Sequence, residues 1–172
     1  MNDSNEDDLF LNSVESYKGN YHDHLLEQYK IYVGMANEVS ERRSKTNSFF
    51  LSANSFLITA LGVLTNFKVS ETMGFLWLYV SSAAGILFSI SWLLLVRNYK
   101  QLNSSKYQVI HAMEKKLPSS PYGKEWQYLE SGKNLKKYIK LTNIESTIPF
   151  LFIALYLTLS LGSYLTGLPK SP

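Results

Sequence analysis

At 172 residues the chain has room for one ordinary domain, and 45% hydrophobic residues with a net charge of +3 suit a soluble or a membrane protein equally. It holds no cysteine, which excludes disulfides, thiolate catalysis and cysteine-ligated zinc or iron–sulfur sites. The placement of charge is more informative: no Asp, Glu, Lys or Arg stands between Lys45 and Lys68, between Glu71 and Arg97, or between Glu145 and Lys170.

Each of these windows is 22 to 25 residues long. A spanning helix needs roughly 20 mostly apolar residues to cross a hydrocarbon core about 30 Å thick. The buried helix of a small soluble bundle normally keeps a charged stripe, and TIPFLFIALYLTLSLGSYLTGL has none. The chain therefore reads as an all-α membrane protein with three transmembrane helices and long cytoplasmic helical extensions.

The first segment, MNDSNEDDLFLNS, is acidic and lacks the basic and apolar regions of a secretory signal. Residues 1–19 are expected to be a disordered leader. YHDHLLEQYK follows, with His22 and His24 flanking Asp23. On a helix the two histidines lie about 200° apart and cannot share a metal, whereas on a strand they would face one way. Asn20 is a suitable N-cap, with Asp23 in the first turn, so this stretch reads as the start of a helix and not as a metal site.

Beyond it Leu25, Tyr29, Tyr32, Ala36 and Val39 recur at steps of four and three, a heptad seam suited to oligomer contacts. Continued in phase, the seam reaches Phe50, Ala53, Leu57, Ala60 and Leu64. Nothing from Tyr21 to Thr65 breaks a helix, so the extension over 20–46 is expected to continue into a first span over 47–67. That span is unusually polar: Ser48, Ser52, Ser55 and Thr59 share one face, either for inter-helix hydrogen bonding or as the lining of a pore.

A short external loop over 68–73 leads to the second span, 74–96, in which Ser81, Gly85 and Ser89 form a run of small residues that lets helices approach closely. The second cytoplasmic arm, 97–146, carries Tyr99, Leu102, Val109, Met113 and Leu117 at helical spacing up to Pro118. PSSPYG is a turn, KEWQYLES a short helix, and Gly132 a break. The last helix is expected to begin near Lys133 and run into the third span, 147–168, with Pro149 at the membrane face and a second small-residue run at Ala154, Thr158 and Gly162. Residues 169–172 form an external tail.

Fifteen of the seventeen Lys and Arg residues fall within 1–45 and 97–145. The positive-inside rule then places the N-terminus in the cytoplasm and the C-terminus outside. Lys133, Lys136, Lys137 and Lys140 share a face just inside the membrane. They are either the plain orientation signal or a seat for anionic lipid headgroups; an anionic nucleotide is a weaker match. Nucleic-acid polymers are not indicated, since no aromatic platform accompanies the lysines. No phosphate loop, nucleophile elbow or zinc-protease motif is present, and no cofactor is implied.

The strings ERRSKTNSFF, RNYKQLNSSK and LPSSPY resemble the RipA family of small bacterial inner-membrane proteins. That resemblance covers about residues 20–165 and implies an octameric homo-oligomer in the bacterial inner membrane, with no assigned activity. The helix–two spans–helix layout is also similar to SLATT-type effectors, proposed pore-formers in nucleotide-signalled phage defence. Two functions follow as expectations: a non-enzymatic membrane scaffold, or a pore-forming or ligand-gated effector.

Overall fold

The computed structural model describes residues 9–17, 19–64, 71–133 and 141–167. Among them the regular structure is entirely helical: α1 (Val14–Tyr17), α2 (Tyr21–Leu64), α3 (Glu71–Glu114), α4 (Pro121–Tyr128), a 3-10 turn (Glu130–Gly132) and α5 (Leu141–Gly167). The chain divides into two compact units. One holds 1–40 with 101–139, and the other holds 41–100 with 140–172.

Among the described residues two stretches are long and apolar enough to cross a membrane, Leu76–Glu114 and Ile144–Leu165. The first charge-free window, 46–67, is described only as far as Leu64.

α2 runs unbroken for 44 residues. Its inward positions are Leu25, Tyr29, Tyr32, Ala36, Val39, Arg43, Asn47, Phe50, Asn54, Leu57 and Leu61, all buried or half-buried. The steps alternate between four and three except at Arg43, where two steps of four follow each other. This is one stutter in a heptad repeat, and beyond it every second inward position moves on by one residue while Phe50 and Leu57 stay inward. The strict heptad of the sequence reading consequently names Ala53 and Ala60, while Asn54 and Leu61 are the buried residues.

α3 keeps one seam throughout, with Ser82, Gly85, Ser89, Trp92, Val96, Tyr99, Asn103, Lys106, Ile110 and Met113 inward. Leu102, one of the apolar residues at helical spacing along this arm, is exposed. Long charged or polar side chains hold the inward positions at Asn103 and Lys106, so a purely apolar count misses the phase there.

In the second unit the core is aromatic. Phe50, Trp92 and Val96 are buried together, with Phe88, Ile148 and Phe152 packed against them. Phe50 stacks on Trp92 at 5.8 Å between centroids and meets Phe88 at 4.5 Å. Pro149 lies inside α5 and is buried.

The first unit is built around the ends of α2 and α3 that carry charge. Residues 9–17, expected to be unstructured, include one helical turn, α1. Its ends are tied by Ser13 and Ser16, whose side chains and backbone bond reciprocally at 3.0 to 3.3 Å. After α4 the chain turns through Glu130, Ser131 and Gly132, all with positive φ between 52° and 68°. Glycine adopts this left-handed conformation freely, whereas the two preceding residues pay of order 1 kcal/mol or more each. The helix expected from Lys133 is described only from Leu141 onward.

Candidate functional site

Among the described residues, hydrogen-bonded sets of buried or half-buried polar side chains occur in each unit, and a further group of hydroxyls is exposed.

In the second unit, α2 presents Arg43, Asn47 and Asn54 along its inward face. Arg43 donates to Glu145 of α5, and the pair is only 12% and 13% exposed. Asn47 Nδ2 donates to the other Glu145 oxygen at 2.9 Å, while its own Oδ1 accepts the indole N–H of Trp92 at 2.8 Å. One chain of bonds thus joins three helices. Farther along α2, Asn54 Oδ1 accepts from Ser89 at 3.1 Å and from the Tyr156 hydroxyl at 3.2 Å, and Asn54 Nδ2 donates to the Phe50 carbonyl at 2.9 Å. Asn54, Ser89 and Tyr156 are fully buried. Unpaired, such groups would cost several kcal/mol each in a dry interior; paired, they fix register and rotation.

Gly85 belongs to the same cluster. A Cβ at this position would lie 2.3 to 2.6 Å from ring atoms of Tyr156. The small-residue run of α3 therefore admits an aromatic ring from the same chain: Gly85 and Ser89 are buried, and Ser81 is half-buried. Ala154, Thr158 and Gly162 of α5 are exposed, and a Cβ on Gly162 would meet nothing within 4 Å.

The cluster in the first unit centres on Glu114, the last residue of α3, whose side chain is fully enclosed. The N-cap of α4, Ser120, makes no side-chain cap of its own. Glu114 supplies it instead. Its Oε1 accepts the Tyr122 amide and its Oε2 the Gly123 amide, each at 2.9 Å. Ser120 donates its hydroxyl to Oε2 at 2.9 Å, and Tyr29 of α2 donates to Oε1 at 3.1 Å. A carboxylate at a helix N-terminus, facing orphan amides, is electrostatically favoured.

Burial pushes the Glu114 carboxyl upward, but the two amides and two hydroxyls outweigh it and hold its pKa below the ordinary value. Burial, with the Glu114 charge beside it, raises the Tyr29 phenol to about 12. Gly123 is required by the close approach, since a Cβ there would stand 2.5 Å from Ser120 Oγ and 3.4 Å from Glu114 Oε2. PSSPYG is thus more than a turn: it is a cradle for a buried carboxylate. The sequence signal was a Pro at the first helical position with a glycine two residues on. The acceptor lay on the preceding helix and carried no local mark.

The seam residues Leu25, Ala36 and Val39 are buried within the subunit, Tyr29 bonds Glu114, and Tyr32 lies under the Lys106 ammonium at 4.8 Å. His24 is exposed, with its Nδ1 2.8 Å from the Tyr17 hydroxyl, and His22 packs edge-on against Tyr21. Among the described residues no group of three or more His, Asp or Glu side chains could hold a metal ion.

Ser48, Ser52, Ser55 and Thr59 are all exposed on α2. Thr59 donates to the Ser55 carbonyl at 2.8 Å, a bond within its own helix. Lys133 is exposed; Lys136, Lys137 and Lys140 lie outside the described residues.

The model of the octameric membrane protein family matches residues 26–165. That family is defined as a membrane-protein assembly and is not an enzyme family. No curated protein matches the chain, and no solved structure does.

Proposed function

The chain belongs to the octameric membrane protein family, and from that membership we propose that it works as a non-enzymatic scaffold, a ring of identical subunits in the bacterial inner membrane. Three spans per subunit, with the N-terminus in the cytoplasm, accord with the three charge-free windows and the clustering of basic residues in 1–45 and 97–145. The likeness to RipA proteins supports the inner-membrane location. The observation that carries the scaffold reading is the bonding of two sets of buried or half-buried polar side chains to one another within the subunit. Arg43, Asn47, Trp92 and Glu145 bond one another, as do Asn54, Ser89 and Tyr156. Such pairing suits a rigid module that presents constant outer faces to copies of itself, to partners and to lipid. The basic face that includes Lys133 serves anionic headgroups in this reading.

One observation favours a second reading. The exposed hydroxyls of Ser48, Ser52, Ser55 and Thr59 would suit the wall of a water-filled opening, as in a pore-forming effector. Reconstitution into vesicles loaded with a small anionic dye separates the two. The scaffold retains the dye as protein-free vesicles do. Steady release that Ser52→Leu abolishes would replace the scaffold by the pore.

A further inference from the structure

The exposed face of α2 in the membrane unit is divided by residue size. At 100° per residue, Phe49, Phe56 and Val63 stack along one flank at seven-residue spacing, and Ser48, Ser55 and Gly62 stack along the other. Both flanks are exposed, and a Cβ on Gly62 would meet nothing within 4 Å in its own subunit. The two lines lie about 100° apart around the helix, with Ser52 and Thr59 between them.

The exposed surfaces of α3 and α5 carry more large aliphatic side chains, with Leu76, Leu87, Leu94, Leu151, Leu157 and Leu161 prominent; α5 also exposes Ala154, Thr158 and Gly162, but without the row of hydroxyls that α2 carries. Lipid tails cover the large aliphatic side chains without loss. Small and hydroxyl-bearing residues gain nothing from lipid, yet they let two helix backbones approach closely. Because the chain belongs to an octameric family, copies of itself must cover part of each subunit.

We propose that the occupant of this face is α2 of the adjacent copy: the line of Phe49, Phe56 and Val63 on one subunit inserts against the line of Ser48, Ser55 and Gly62 on the next. The contact is heterologous, two different flanks of one helix, which is the kind of contact that closes a ring and not a two-fold pair. This inference rests on the homo-oligomeric membrane reading above and specifies its interface.

The test uses full-length chain in detergent or lipid, with the oligomer read by native mass spectrometry. Gly62→Leu fills the small line and lowers the octameric fraction about tenfold or more, with helix content by circular dichroism unchanged. Gly162→Leu, on the exposed face of α5, leaves the octamer intact. The cysteine-free chain supports a second readout. Differently tagged chains carrying Ser55→Cys and Phe56→Cys are coexpressed, and a short thiol cross-linker joins them into mixed dimers in higher yield than either variant gives alone. An undiminished octamer in Gly62→Leu, an equal or greater loss in Gly162→Leu, or no preference for mixed dimers overturns the interface. A wild-type chain with the mass of a single subunit overturns the oligomeric reading itself and is distinct from each of those results.

Discussion

Glu114 shows how much one residue can do without an active site. Its carboxylate ends α3, caps α4 and binds the hydroxyl of Tyr29 on α2. Glu114→Ala leaves two helix-end amides without an acceptor, and each loss costs about 1–3 kcal/mol. Lower thermal stability and faster proteolysis near Ser119 are the expected outcomes. Because the folded-state pKa is held below the ordinary value of a free glutamate, the stabilisation is complete above that unfolded value and is lost as pH falls through the lower folded one. Wild type should lose stability over that acidic window, and Glu114→Gln should flatten the profile; a wild-type profile as flat as the variant's would remove Glu114 from this role. None of this was legible in the sequence. LPSSPY stood out as a string, but its meaning required knowing that an acidic side chain from the previous helix folds back over it. Asn54 was hidden in a different way, since the strict heptad put Ala53 on the inner face. Tyr156→Phe removes one of the two hydroxyls that reach Asn54. The expected cost is modest, about 0.6 kcal/mol as for other hydrogen bonds within a membrane, and unfolding in mixed micelles would measure it.

The helices themselves were legible because length and charge-free composition declare them. α2 was expected to run without a break, and it does so from Tyr21 to Leu64. What eluded the sequence was rotation. A single stutter at Arg43 moves every second inner position by one residue, and an apolar heptad count misses it because Asn47 and Asn54, which mark the new phase, are polar. The same ambiguity applied to the glycines. Spacing alone made Gly85 and Gly162 look alike, yet one lies against the Tyr156 ring and the other faces outward. Gly85→Leu is therefore expected to displace Tyr156, break its bond to Asn54 and destabilise the subunit itself, by several kcal/mol if the ring cannot move aside. Loss of helical unfolding cooperativity in that variant is the measurable sign. A Gly85→Leu protein as stable as wild type would place the ring elsewhere.

For the whole molecule, charge distribution sets the expected orientation. With fifteen basic residues in 1–45 and 97–145, and only Lys68 and Lys170 outside them, a cysteine at Ser70 is expected to react with an impermeant thiol reagent in intact cells, and one at Ser119 is not. The reverse pattern would invert the topology. A ring of identical subunits has a definite mass, which native mass spectrometry of the wild-type protein released from lipid nanodiscs reads. The expected result is a single species of eight times the 19.7 kDa chain; a species with the mass of one chain would rule the ring out.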